Sequence, residues 1–155
     1  MVVLPKPMIT ASYTRPANTT AYAANDAVGE SPAKILTFDK ANRISRGSGL
    51  VHGAVCSTNN INMDGLLRLY LYEDVAIAIA DNEVFTLNQV PVGFIDFSGW
   101  TTEGTGSAIA IAIPTFNPIF FTCADRALYG LCSSRTSFTP TSGQVINFNL
   151  LIKPY

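Results

Sequence analysis

Apolar and polar positions alternate with a period of two along most of the chain. Toward its end, Ile146, Phe148, Leu150 and Ile152 alternate with Asn147, Asn149 and Leu151. Successive side chains of a strand point to opposite faces, so this spacing predicts a half-buried strand. Leu67, Leu69 and Leu71 repeat the pattern against Arg68, Tyr70 and Tyr72. No long segment keeps the three-and-four spacing of an amphipathic helix. Strands are predicted at 34–39, 49–56, 66–73, 92–97, 108–113, 118–123, 127–133 and 144–153. Turn residues separate them: Arg46-Gly47-Ser48-Gly49, Asn59-Asn60, Asp64-Gly65 and the run from Thr139 to Gly143. These residue types accept tight or positive-φ backbone. Many short strands with such punctuation predict an all-β chain, an antiparallel β-sandwich or a jelly roll. Two segments, Val75–Ala80 and Ala108–Ile113, alternate Ala with Ile or Val and read either as strands or as the start of a helical turn.

The first ten residues break the alternation. Val2, Val3, Leu4, Met8 and Ile9 are apolar, while Pro5 and Pro7 oppose both helix and regular strand pairing. The segment is more apolar than an ordinary disordered tail. It is read as an extended N-terminal arm over 1–10 that docks onto a neighbouring subunit, ahead of a single domain over 11–155. The length of 155 residues suits one domain.

Composition adds a constraint on the surface. Charged residues make up 14% of the chain, against about 25% in typical soluble domains. Hydrophobic residues make up 48%, and the mean hydropathy is +0.25. Either part of the surface is covered in an oligomer or assembly, or a large core carries a Thr/Ser/Asn-rich skin. The net charge is −1 and the ten Lys and Arg are scattered, which argues against a nucleic-acid partner. The longest strongly apolar runs are six residues, far below the roughly 20 that span a bilayer. With no signal-peptide core at the start, the expectation is a soluble protein made in the cytosol, with no membrane partner.

Candidate chemistry is sparse. His52 is the sole histidine, and a Ser-His-Asp triad would require it. Strict alternation places His52 and Cys56 on one face, where a Cys–His dyad can be drawn; the plainer reading is a strand histidine beside a buried thiol. Cys56, Cys123 and Cys132 show neither a disulfide framework nor metal-ligand spacing. Asp64, Glu73, Asp74, Asp81, Glu83 and Asp96 mostly fall in turns, where short acidic side chains bond local backbone. A glycosidase pair or a calcium cluster is the lesser reading of them. No catalytic residue, cofactor or metal ligand is assigned. Trp100 follows Phe97-Ser98-Gly99 and can stack on a sugar, anchor a subunit interface or fold onto the sandwich end. Arg15 precedes Pro16, which holds it extended. It is read as projecting outward, toward a carboxylate across an interface or into solvent.

The stretch Ala11 to Ser31, ASYTRPANTTAYAANDAVGES, resembles the "sftRPadTtaYasGDvv" opening of a family of tailed-phage virion proteins. Further pieces match in the same order. Gly47–Val55 resembles the family's Gly-Ser-Gly lead into a long strand, and Leu66–Tyr72 its "frLhLY" strand. Asp81-Asn82 with Val84-Phe85 resembles its "Dn…f" segment, and Val92–Phe97 its "lG.idf" strand. Leu128–Leu131, Phe138-Thr139-Pro140 and Gly143 resemble its ending. The resemblance spans roughly 11–153. Asn25 stands where the family usually has Gly, a mild change because Asn accepts left-handed backbone best among non-glycine residues. Val75–Ala80 and Thr101–Phe116 have no clear counterpart.

The resemblance implies a head decoration or cement protein: an antiparallel β-sandwich of jelly-roll type, a homotrimer on the outside of the capsid, binding the major capsid protein and clamping its neighbouring subunits. The interface residues expected are Val2, Val3, Leu4, Pro5, Pro7, Tyr13, Arg15, Tyr22 and Trp100. The alternative is a carbohydrate-binding, host-attachment module using Trp100, Tyr70 and Tyr72. A hydrolase dependent on His52 is the weakest reading.

Overall fold

A computed structural model describes residues 8–42, 44–115 and 118–154. Its eleven strands are β1 (Met8–Thr14), β2 (Ala27–Val28), β3 (Leu36–Phe38), β4 (Ser48–Thr58), β5 (Leu67–Tyr72), β6 (Gly93–Phe97), β7 (Thr101–Glu103), β8 (Ser107–Ala112), β9 (Ile119–Thr122), β10 (Leu128–Ser134) and β11 (Val145–Pro154). There is no helix among the described residues. The strands form two antiparallel sheets packed as a sandwich. One sheet has the order β1-β11-β4-β8-β7, with β9 also on β4; the other has β2-β10-β5-β6, with β3 also on β10. The long-range pairings nest: β4 pairs β11 on the outside of the sequence, and β5 pairs β10 within it.

The predicted alternation builds the core. Ile146, Phe148, Leu150 and Ile152 are fully buried, as are Leu67, Leu69 and Leu71 of the opposite sheet. Phe97 meets Phe148 across the sandwich at 5.7 Å between ring centroids, and Tyr13 meets the same ring edge-on at 6.5 Å. Cys56 and Cys132 lie in this core as free thiols, and burial pushes both thiols up in pKa.

Every predicted strand is present with its ends shifted by a residue or two. Three further strands, β1, β2 and β7, were not predicted. Met8–Thr10 belong to β1 and pair with Leu151, Leu150 and Asn149, so the expected arm loses its last three residues to the sheet. Pro5 and Pro7 precede this pairing and leave the amides of β1 free to donate. Residues 1–7 of the arm lie outside the described residues.

Ala108–Ile113 is strand as far as Ala112. Val75–Ala80 is neither strand nor helix. It is part of a cover over the outer face of the second sheet, where Tyr70, Tyr72, Tyr129 and Leu131 form a second small core with Ala76 and Ala127. Ile79 and Phe85 pack on it, and Phe85 stacks on Tyr70 at 4.8 Å. β5 is therefore buried on both faces.

Candidate functional site

The residues that carry the motif converge on one buried joint. Arg15 follows β1 and is 2% exposed. Its Nη2 donates to Asp81 Oδ2 at 3.0 Å, and both side chains are shielded from solvent (0% and 3% exposed). Arg15 Nε donates to the Tyr22 hydroxyl, and that hydroxyl donates to Asp81 Oδ1. The same carboxylate oxygen accepts the Gly29 amide at 3.1 Å. Arg15 Nη1 reaches the carbonyls of Asn18 and Thr141 at 3.5 and 3.4 Å. The guanidinium thus ties together the N-terminal motif, the 75–91 loop and the Thr-Pro-Thr-Ser-Gly turn.

Local backbone makes this geometry possible. Pro16 holds Arg15 extended, and the Arg15 amide donates to Gln144 O at 2.9 Å. Asn25 and Asn82 take left-handed φ values of 73° and 65°, which turn the two loops toward each other. The amides of Ala27, Asn82 and Phe85 then bond across them, to Glu83, Ala27 and Asn25 at 2.7, 2.9 and 2.8 Å. The Tyr22 ring packs on Phe138 at 4.8 Å. Burial first, and then the bond to Asp81, push the Tyr22 phenol well above its ordinary pKa.

Several sequence expectations change here. Arg15 points inward, and its carboxylate partner is Asp81 of the same chain. The strand continues from β1 and carries the side chain under the 75–91 loop. Tyr13 and Tyr22 are each 1% exposed and are core residues of this chain. Val2, Val3, Leu4, Pro5 and Pro7 lie outside the described residues. Trp100 is half-buried, packs against the core and donates its indole N–H to Gly65 O at 2.7 Å. That is the fold-onto-the-end reading of the three. Tyr70 and Tyr72 are buried under the loop, so the three aromatics of the sugar-binding reading form no common platform.

His52 and Cys56 do not share a face. Val51 pairs with Ile152 and Gly53 with Leu151, so β4 carries one extra residue, a β-bulge at His52. The bulge resets the alternation. Cys56 faces the core, while His52 lines a shallow surface pocket with Ile113, Pro114, Thr115 and Pro118. Among the described residues no group of three or more His, Cys, Asp or Glu is placed to hold a metal ion. Asp96 pairs with Arg68 at 2.7 Å. Asp125, absent from the acidic residues weighed in the sequence, bonds the Tyr129 hydroxyl, which holds the Asp125 carboxyl below its ordinary pKa.

A second feature was not visible in the sequence: the outer face of the first sheet. Three cross-strand rows define it. One runs Ser12, Asn147, Ser57, Ile109, Thr101; the next Thr10, Asn149, Val55, Ile111. The third joins Met8, Leu151 and Gly53, with the Ile113 side chain beside Gly53. None of these residues is charged. Ile111 and Ile113 are 72% and 77% exposed. No family model, curated protein or solved structure matches the chain.

Proposed function

We propose that this chain is a virion structural protein, a head decoration or cement protein of jelly-roll type. It binds the outside of a tailed-phage capsid as a homotrimer and stabilises contacts between major capsid subunits. One observation carries the reading. Arg15 and Tyr22 of the opening motif, Asp81 of the Asp81-Asn82 piece and Phe138 of the ending come from three separate pieces of the resemblance, yet they meet in a single joint. That these pieces fall in one folding unit of the chain supports the reading. The nested pairing of β4–β11 around β5–β10 supports a rolled-up, jelly-roll winding.

The surface supports binding work. Besides the isoleucines of the sheet face, the loop over the second sheet exposes Val75, Ile77, Val84, Leu87 and Val90. Permanent interfaces are larger and more apolar than transient ones, and cementing requires a permanent one. The test is cosedimentation of the purified protein with heads of the source phage, with electron microscopy of the decorated particles. Saturable binding and new density at local three-fold positions are expected. Removing residues 1–7, which leaves β1 whole, is expected to weaken that binding. An absence of binding by the full chain overturns the reading.

A further inference from the structure

β1 ends where the prolines begin, and its hydrogen bonds say why. Ser12 O accepts Lys34 Nζ and the Thr14 amide donates to Glu30, both on the side away from β11. The Arg15 amide donates to Gln144 O, in line with β11. Even-numbered residues therefore face the open edge, and odd-numbered residues bond β11. The next donor to β11 would be Pro7, which has no N–H, and Pro5 repeats the block. The ladder cannot continue through residues 1–7.

Beyond Met8 the outer face of the first sheet holds an apolar hollow. The row runs Met8, Leu151, Gly53. Gly53 has no side chain, and a Cβ there would touch Leu151 and Ile113 at 3.6 and 3.8 Å, so the row dips between these two. It leads into the pocket lined by His52, Ile113, Pro114, Thr115 and Pro118, about 320 Å³ in volume. The same two prolines wall a neighbouring hollow that includes Phe120. Ile113 and Phe120 are 77% and 67% exposed. We propose that residues 1–7 cross this row as a strap and seat Val2, Val3 and Leu4 in the His52–Pro118 pocket of their own chain.

Reach fits the strap to the pocket. The strand order β1-β11-β4-β8 puts β8 three strand spacings from Met8, or about 14 Å. A proline-stiffened extended chain rises about 3.1 Å per residue. Leu4 then lies about 12 Å from Met8, with Val3 and Val2 at about 16 and 19 Å. The apolar triplet falls where the pocket lies. Pro7 and Pro5 fall over Leu151 and Gly53, where no backbone donor is required.

Composition agrees. Three aliphatic side chains and the exposed Ile113 leave water together. Lys6 is the one charged side chain of the strap, and Lys153 stands exposed beside the row; long stems let both ammonium groups stay in solvent. The tether selects the chain's own segment over a second copy or a separate partner. Either of those loses free movement on docking, whereas a short linker from Met8 holds the strap near the pocket at millimolar effective concentration. The strap covers only this row, and the rows through Asn147 and Asn149 stay open.

The experiment is NMR of the isotope-labelled full chain carrying a nitroxide on Val2→Cys. Cys56, Cys123 and Cys132 are buried and stay unlabelled. Signals of His52, Ile113 and Phe120 are expected to broaden and lose intensity. Ile61, past the far end of β4, is expected to keep its signal. Leu4→Asp in the same chain is expected to restore the lost intensity; it precedes β1, and circular dichroism checks that the strands stay whole. In a second sample, nitroxide-bearing chain without isotopes is refolded together with isotope-labelled wild type, and no broadening is expected. Full intensity at His52, Ile113 and Phe120 in the first sample overturns the inference. So does broadening that persists in Leu4→Asp. Broadening in the mixture as strong as within one chain also overturns it and places the arm on a neighbouring copy. Head binding plays no part in these measurements, so their failure leaves the cement reading to its own test.

Discussion

Arg15 and Asp81 set the energetics of the joint. Both are removed from water, and that desolvation offsets much of their attraction. Removing one partner of such a pair is far more costly than replacing both, because the survivor is left charged and uncompensated. Asp81→Asn and Arg15→Met are each expected to destabilise the fold by about 3–5 kcal/mol in urea unfolding. The double variant should lose clearly less than the sum of the two. Near-neutral single variants, or strict additivity, would show that the pair does not hold the loops. Tyr22 is the third member. Its hydroxyl links the two charges, so part of the coupling runs through it. The sequence offered Arg15 and Asp81 as separate readings, an outward interface arginine and a turn aspartate. Nothing local joins positions 66 residues apart. The only signal was that both belong to the same resemblance.

At the level of elements, the readable strands were those that send every second side chain into the core, as β5 does with Leu67, Leu69 and Leu71 and β11 with Ile146, Phe148, Leu150 and Ile152, and period-two patterning reports that directly. The strands missed were β2 and β7, of two and three residues, and β1, hidden behind its prolines. The bulge at His52 was illegible for a different reason. An inserted residue leaves the letters alternating and changes only which face they reach. The roof over the second sheet was also unread, because Tyr70 and Tyr72 look like the solvent face of a half-buried strand. Phe85 is the residue that closes this roof on Tyr70. Phe85→Ala is expected to cost about 1–2 kcal/mol, from lost apolar burial and a lost aromatic pair. It should also raise amide exchange in residues 75–91 while the sandwich strands stay protected. Equal acceleration across both sheets would mean that the roof and the sandwich unfold as one unit.

For the whole molecule, low charge and positive mean hydropathy left two readings open, a covered surface or a neutral skin. The structure places both features on the same face: threonine, serine and asparagine share rows with isoleucine, valine and leucine. An association built on such a face has a definite response to salt. Surface charge pairs are screened beyond a Debye length, which falls from about 30 Å at 0.01 M to about 3 Å at 1 M ionic strength. Apolar burial is not weakened in this way, and sulfate strengthens it by exclusion from the surface. Self-association measured by sedimentation should therefore hold or tighten between about 0.01 M and about 1 M sodium chloride, and tighten further in sulfate. Dissociation at high salt would place charged groups in the contact. The 75–91 loop, with Glu83 and the adjoining Asp74, would then be the contacting surface in place of the sheet.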